Sequence, residues 1–146
     1  MKTMRFFVIL SMLIMAVSCD EQQNSDEKKK AIEYVVQTVE EAKKNLPVDF
    51  GPGGTLVSAN IEDDCVVYSY RYDKQTSENL KAVDSQTIEE YANSMKPSVI
   101  SIAKKQETEK KFMESCFKAG YVIKYKYYTY DGSYLFGIDI TEEDYE

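Results

Sequence analysis

The chain has 146 residues, a formal net charge of −7, 12 tyrosines, three cysteines, no tryptophan and no histidine. Without histidine it lacks the usual general base for chemistry near neutral pH and a common metal ligand. Its acidity argues against binding nucleic acid or adhering to an anionic bilayer by charge.

The first 18 residues read as an export signal. Lys2 and Arg5 make a basic start, Phe6 to Val17 an apolar run broken only by Ser11, and Ala16, Val17 and Ser18 a small-residue processing site. The run is too short and poorly flanked for a stable membrane span. Residues 16–19, Ala-Val-Ser-Cys, resemble a bacterial lipobox, with Ala16 in place of the usual leucine. That resemblance implies lipidation of Cys19 and cleavage after Ser18. Two or more acyl chains anchor stably where one does not. Asp20 and Glu21 follow directly, where acidic residues influence sorting between membranes. The outer membrane, on its periplasmic or surface side, is the expected location, with the inner membrane as the alternative. Cleavage removes Lys2 and Arg5, so the net charge falls from −7 to −9.

Residues 19–30 are polar and highly charged and are expected to begin as a flexible tether. Residues 31–146 are long enough for one domain. Ile32, Val35, Val36, Val39, Ala42 and Leu46 recur at helical spacing, predicting an amphipathic helix from about Asp26 to Asn45 that ends before Pro47. Phe50-Gly51-Pro52-Gly53-Gly54 reads as a loop; it lacks the Gly-Lys-Ser/Thr ending of a phosphate loop.

Two hairpins follow, separated by helix. In the first, pairing Ile61 with Val66, Ala59 with Tyr68 and Val57 with Tyr70 puts all six on one face. Its turn, Glu62-Asp63-Asp64-Cys65, lacks the spacing and length of a calcium loop. Residues 73–86 show no clear period and read as a connection. Ile88, Tyr91, Ala92, Met95, Val99, Ile102 and Ala103 are helical in spacing, with a Thr87/Glu90 capping box and a kink or break expected at Pro97. Phe112, Met113, Cys116 and Phe117 continue the helical pattern until Gly120. The second hairpin turns at Asp131-Gly132. It pairs Tyr127 with Phe136, Tyr125 with Ile138, Ile123 with Ile140 and, on the other face, Lys124 with Asp139. Glu142-Glu143-Asp144 reads as a charged tail.

Leu46-Pro47 before a Gly-rich loop, Val66-Val67-Tyr68-Ser69-Tyr70, and Gly120-Tyr121 leading to Tyr125 through Gly132 resemble small bacterial envelope lipoproteins in which helices pack on antiparallel hairpins. The resemblance implies a fold and no activity. The expected architecture is α+β, a four-stranded antiparallel sheet from two hairpins with helices packed on one face.

Candidate functional residues are few. After lipidation of Cys19, Cys65 and Cys116 remain; in an oxidising compartment they form a disulfide or stay as two partly buried thiols. They make no metal site, and no cofactor is implied. Lys124, Lys126, Tyr128 and Tyr130 fall on the sheet face opposite the apolar one and form a candidate recognition face for a protein partner. The expected role is a non-enzymatic binding or assembly module of the envelope. The alternative is an immunity or inhibitor lipoprotein against a basic toxin or enzyme.

Overall fold

The computed structural model describes residues 21–146. The signal segment 1–18 and the lipidation expected at Cys19 lie outside them. Helix α1 (Lys2–Lys44) is followed from Glu21. Of its expected apolar stripe, Val35 and Val39 are buried, together with Ala31, against helix α4 (Glu107–Ala119) and strand β2 (Gly54–Glu62), while Val36 is exposed. Residues 21–30 are all exposed and helical, so the stretch expected as a tether continues the helix on the N-terminal side of Ala31. Among the described residues, no helix is long and apolar enough to cross a membrane.

After Pro47, a two-residue strand β1 (Val48–Asp49) pairs with β2. The 50–54 loop then turns tightly, with the Phe50 amide donating to the Gly54 carbonyl at 2.8 Å. Gly53 has φ +77°, and a Cβ there would meet the Thr76 hydroxyl, so glycine is required by both backbone and space.

β2 and β3 (Cys65–Tyr72) form the first hairpin, with Ile61 opposite Val66 and Ala59 opposite Tyr68 as the alternation predicts. The third expected pair differs. A bulge between Leu56 and Ser58 places Leu56, not Val57, opposite Tyr70, and Leu56 packs on the core. Strands β4 (Val122–Tyr128) and β5 (Tyr134–Ile140) form the second hairpin with all three expected apolar pairs and a Lys124–Asp139 ion pair at 2.8 Å. Its turn is longer than two residues. Thr129 donates to the Ser133 carbonyl across Tyr130-Asp131-Gly132, with Gly132 at φ +87°. The accompanying irregularity rotates Leu135, expected on the outer face, toward the core and sends Tyr134 outward beside Tyr128.

The sheet itself corrects the expected architecture. It has five strands in the order β1-β2-β3-β4-β5, and it is mixed: β3 and β4 run parallel, from Cys65 beside Val122 to Arg71 beside Tyr128. The two hairpins are joined edge to edge. The helices between them supply the long crossover that parallel neighbours need.

That crossover holds α2 (Lys74–Lys81), α3 (Ser85–Lys105) and α4. α2 occupies part of the stretch expected as a connection, and Asp73 caps it by accepting from the Thr76 amide at 2.7 Å. Ser77 ties it to the second hairpin, accepting from the Tyr130 amide at 2.9 Å. α3 begins one turn earlier than its expected capping box, because Asp84 accepts from the Thr87 amide at 3.0 Å. Pro97 lies inside α3 without ending it; the break falls at Gln106, which leaves helical geometry at φ −109°, ψ 117°. Gly120, at φ +85°, closes α4 as expected. The acidic C-terminus forms a short helix α5 (Glu142–Tyr145), tied to α3 by Lys96–Asp144 at 2.7 Å.

α1, α3 and α4 cover one sheet face. Val35, Val39, Val66, Cys116, Ile123 and Ile140 are completely buried between them. The helix stripes and the strand alternation interdigitate to close this layer, yet one corner remains open.

Candidate binding cleft

The open corner is a cleft of about 540 Å³ between the helical layer and the sheet. Its floor is Tyr68 and Tyr70 of β3 with Tyr125 and Tyr127 of β4. The parallel register sets Tyr68 beside Tyr125 and Tyr70 beside Tyr127, and the rings stack at 5.7 and 5.1 Å between centroids. Phe136 extends the stack from Tyr127 at 4.6 Å. α3 supplies one wall through Val99, Ile102 and Ala103; α4 adds Phe112 and Met113, and α1 contributes Thr38. Phe50, edge-on to Tyr70 at 5.4 Å, forms a lip.

Two of the exposed large apolar side chains therefore lie at one opening: Phe50 is 66% exposed and Ile102 57%. An apolar patch of this kind, gathered around a cavity, is the usual mark of an interaction site. Glu109 is the one charged residue lining it. Among the described residues Glu109 has no ion-pair partner within 4.0 Å. The α3 lysines Lys104 and Lys105 instead line a separate hollow with Lys96 and Asp144.

Burial fixes the chemistry of the floor. It pushes the Tyr70 phenol up to about 12 and raises Tyr68, Tyr125 and Tyr127 further. For Tyr68 the nearby Cys116 and Tyr70 add to the effect. All four phenols stay protonated at neutral pH and act as hydrogen-bonding groups. Among the described residues none of the four hydroxyls has a hydrogen-bond partner in the protein, and none is sealed from solvent. The cleft thus offers apolar area and phenol hydroxyls, which is equipment for binding.

The residues singled out from sequence lie elsewhere. Lys124, Lys126 and Tyr128 share the outer face, away from the helices. Lys124 is held by Asp139, whose hydrogen bond raises its pKa, and Tyr128 packs edge-on against Tyr134 at 5.8 Å. Tyr130 does not join them: it sits in the turn, with Lys81 of α2 over its ring at 5.7 Å. Cys65 and Cys116 stand as unbridged cysteines in the structure. Cys116 is buried in the core, where burial pushes its thiol up to about 12. Cys65 precedes the core-facing Val66 and points to the opposite face, beside Lys124. Among the described residues no three His, Cys, Asp or Glu side chains come together as a metal site.

No family model matches the sequence, and no curated protein matches it. Solved structures do share its fold. A candidate secreted protein of Pseudomonas aeruginosa superposes with TM-score 0.59 at 8% identity, over 82% of this chain and 96% of that one. EpsS, a pilotin of the Vibrio vulnificus type 2 secretion system, gives 0.57 at 9% identity, over 84% of this chain and 97% of that one. The type II secretion pilotin AspS of Vibrio cholerae gives 0.54 at 12% identity, over 82% and 96%. At these identities the likeness is one of fold.

Proposed function

We propose that this chain is a lipid-anchored binding or assembly module of the bacterial cell envelope, held by Cys19, and that a protein partner seats in the cleft. The observation that carries the reading is the exposure of Phe50 and Ile102 around the tyrosine floor. The floor strands favour one mode of docking. β3 and β4 are each paired on both edges, so no main-chain edge is free there to add a strand. A partner must be read through side chains, which suits an amphipathic helix laid into the groove. Glu109 and the net negative charge favour a basic residue on that helix. Two of the proteins sharing the fold are pilotins of type II secretion, and assistance to an envelope secretion assembly is the corresponding role here.

The test is capture from crosslinked cells with the lipid anchor intact. Ile102→Glu places a charge in the apolar wall at an exposed position and should abolish capture while leaving the thermal melt nearly unchanged. Replacing Tyr128 and Lys126 by serine on the outer face should leave capture intact. The opposite pattern would move the partner to the outer face and end the cleft reading.

A further inference from the structure

The four phenol hydroxyls on the floor constrain what can fill the cleft. A purely apolar helix face laid over Tyr68, Tyr70, Tyr125 and Tyr127 would strip water from these groups and return no hydrogen bond. Leaving a buried polar group unpaired costs more than a made hydrogen bond contributes. Sites built with hydrogen-bonding groups therefore discriminate strongly against ligands that lack the matching group. The floor cannot satisfy itself: the stacked arrangement sets the rings side by side, and no hydroxyl has a partner among the described residues.

Resting on the docking reading above, we propose that the cleft selects a partner helix whose apolar stripe is interrupted by amide or hydroxyl side chains aimed at the tyrosine floor, with a basic residue at the Glu109 end. The stripe supplies contact with Phe50, Ile102 and Phe112, and the interrupting side chains accept from and donate to the phenols. Glu109, the charged residue of the lining, fixes which way along the groove the helix lies. The negative net charge acts in the same direction.

The experiment uses the full lipidated chain in nanodiscs of neutral lipid and two synthetic 18-residue helical peptides carrying a photocrosslinker. One has an all-leucine stripe; the other has two stripe leucines replaced by glutamine. Both carry lysine on the outer face. Lipid takes up each peptide equally for every protein variant, so differences between variants report the cleft. The wild type should crosslink the glutamine peptide at about tenfold lower concentration than the leucine peptide, the scale of one or two net hydrogen bonds. Tyr68→Phe/Tyr125→Phe keeps both rings and should lose or reverse that preference; Tyr70→Phe alone serves if the double variant melts early. Equal binding of both peptides to the wild type, or a preference that survives removal of the hydroxyls, overturns the selection rule while leaving the docking reading standing. If neither peptide crosslinks above the Ile102→Glu background, the docking reading falls as well.

Discussion

The two faces of β3 and β4 come from the same residues taken alternately, yet they have opposite characters. Inward lie Tyr68, Tyr70, Tyr125 and Tyr127, stacked and largely covered by helices. Outward lie Ser69, Lys124 and Lys126, with Lys124 bound to Asp139 and Tyr128 leaning on Tyr134. Tyrosine therefore does two jobs in this sheet. Inside it is bulk that completes the core and floors the cleft; outside it covers polar strands. Its abundance alone says nothing about recognition. What marks the cleft is the place where the helical cover stops short, leaving Phe50 and Ile102 exposed above aromatic rings.

The comparison breaks most sharply at Tyr127, which is buried between Tyr70 and Phe136. Tyr127→Ser should cost about 3–5 kcal/mol in denaturant unfolding, from lost aromatic packing and the cavity left behind. A loss under 1 kcal/mol would mean that the inner stack is not core. A smaller effect is expected at the tip of the second hairpin. Asp131 is held well below the ordinary carboxylate range, first by the Thr129 hydroxyl, then by Ser133 and Lys81. Its folded pKa lies below its unfolded one. The stabilisation is therefore complete above the ordinary carboxylate range, about pH 4, and drains away as pH falls through the folded value. Asp131→Asn should lower the melting temperature at neutral pH, and the gap to wild type should close in strong acid. A gap that widens on acidification would contradict the sign. The smallest effect belongs to the outer face. Tyr128→Ser and Tyr130→Ser should each stay within about 0.5 kcal/mol in the same unfolding measurement. A large loss there would show that the outer tyrosines carry structural weight equal to the inner ones.

Local order was readable from the residues wherever a short-range period met a turn. Alternation around Asp63-Asp64 and before Asp131-Gly132 identified both hairpins and most of their pairs. The spacing of Val35 and Val39 similarly identified the buried helix face, although the same stripe included the exposed Val36 and left out the buried Ala31. Three kinds of feature escaped. Bulges at Val57 and Leu135 shift one residue without changing composition, so alternation past them misassigned Val57 and Leu135. Helix α2 is short and polar, with no apolar stripe to announce it, although Asp73 preceding Thr76 was a cap signal. The parallel joining of the hairpins left no local trace, because either strand could have been an edge. The cleft depends on that joining: Tyr68 and Tyr125 meet only across β3 and β4. A hint did exist in Phe50 beside glycines and in Ile102 on the helix stripe, but only the assembled layers reveal both as exposed.

The parallel seam between β3 and β4 has a consequence for how the chain is made. A hairpin closes through neighbours, but Cys65 must wait for Val122, on the far side of three helices. Such long-range closure slows folding. A polypeptide threaded through a membrane from its amino end would present the first hairpin and its tyrosines well before their partners emerged. The tyrosine floor is thus completed only once β4 has followed the three helices, and a chain stalled before that strand would have no cleft to offer.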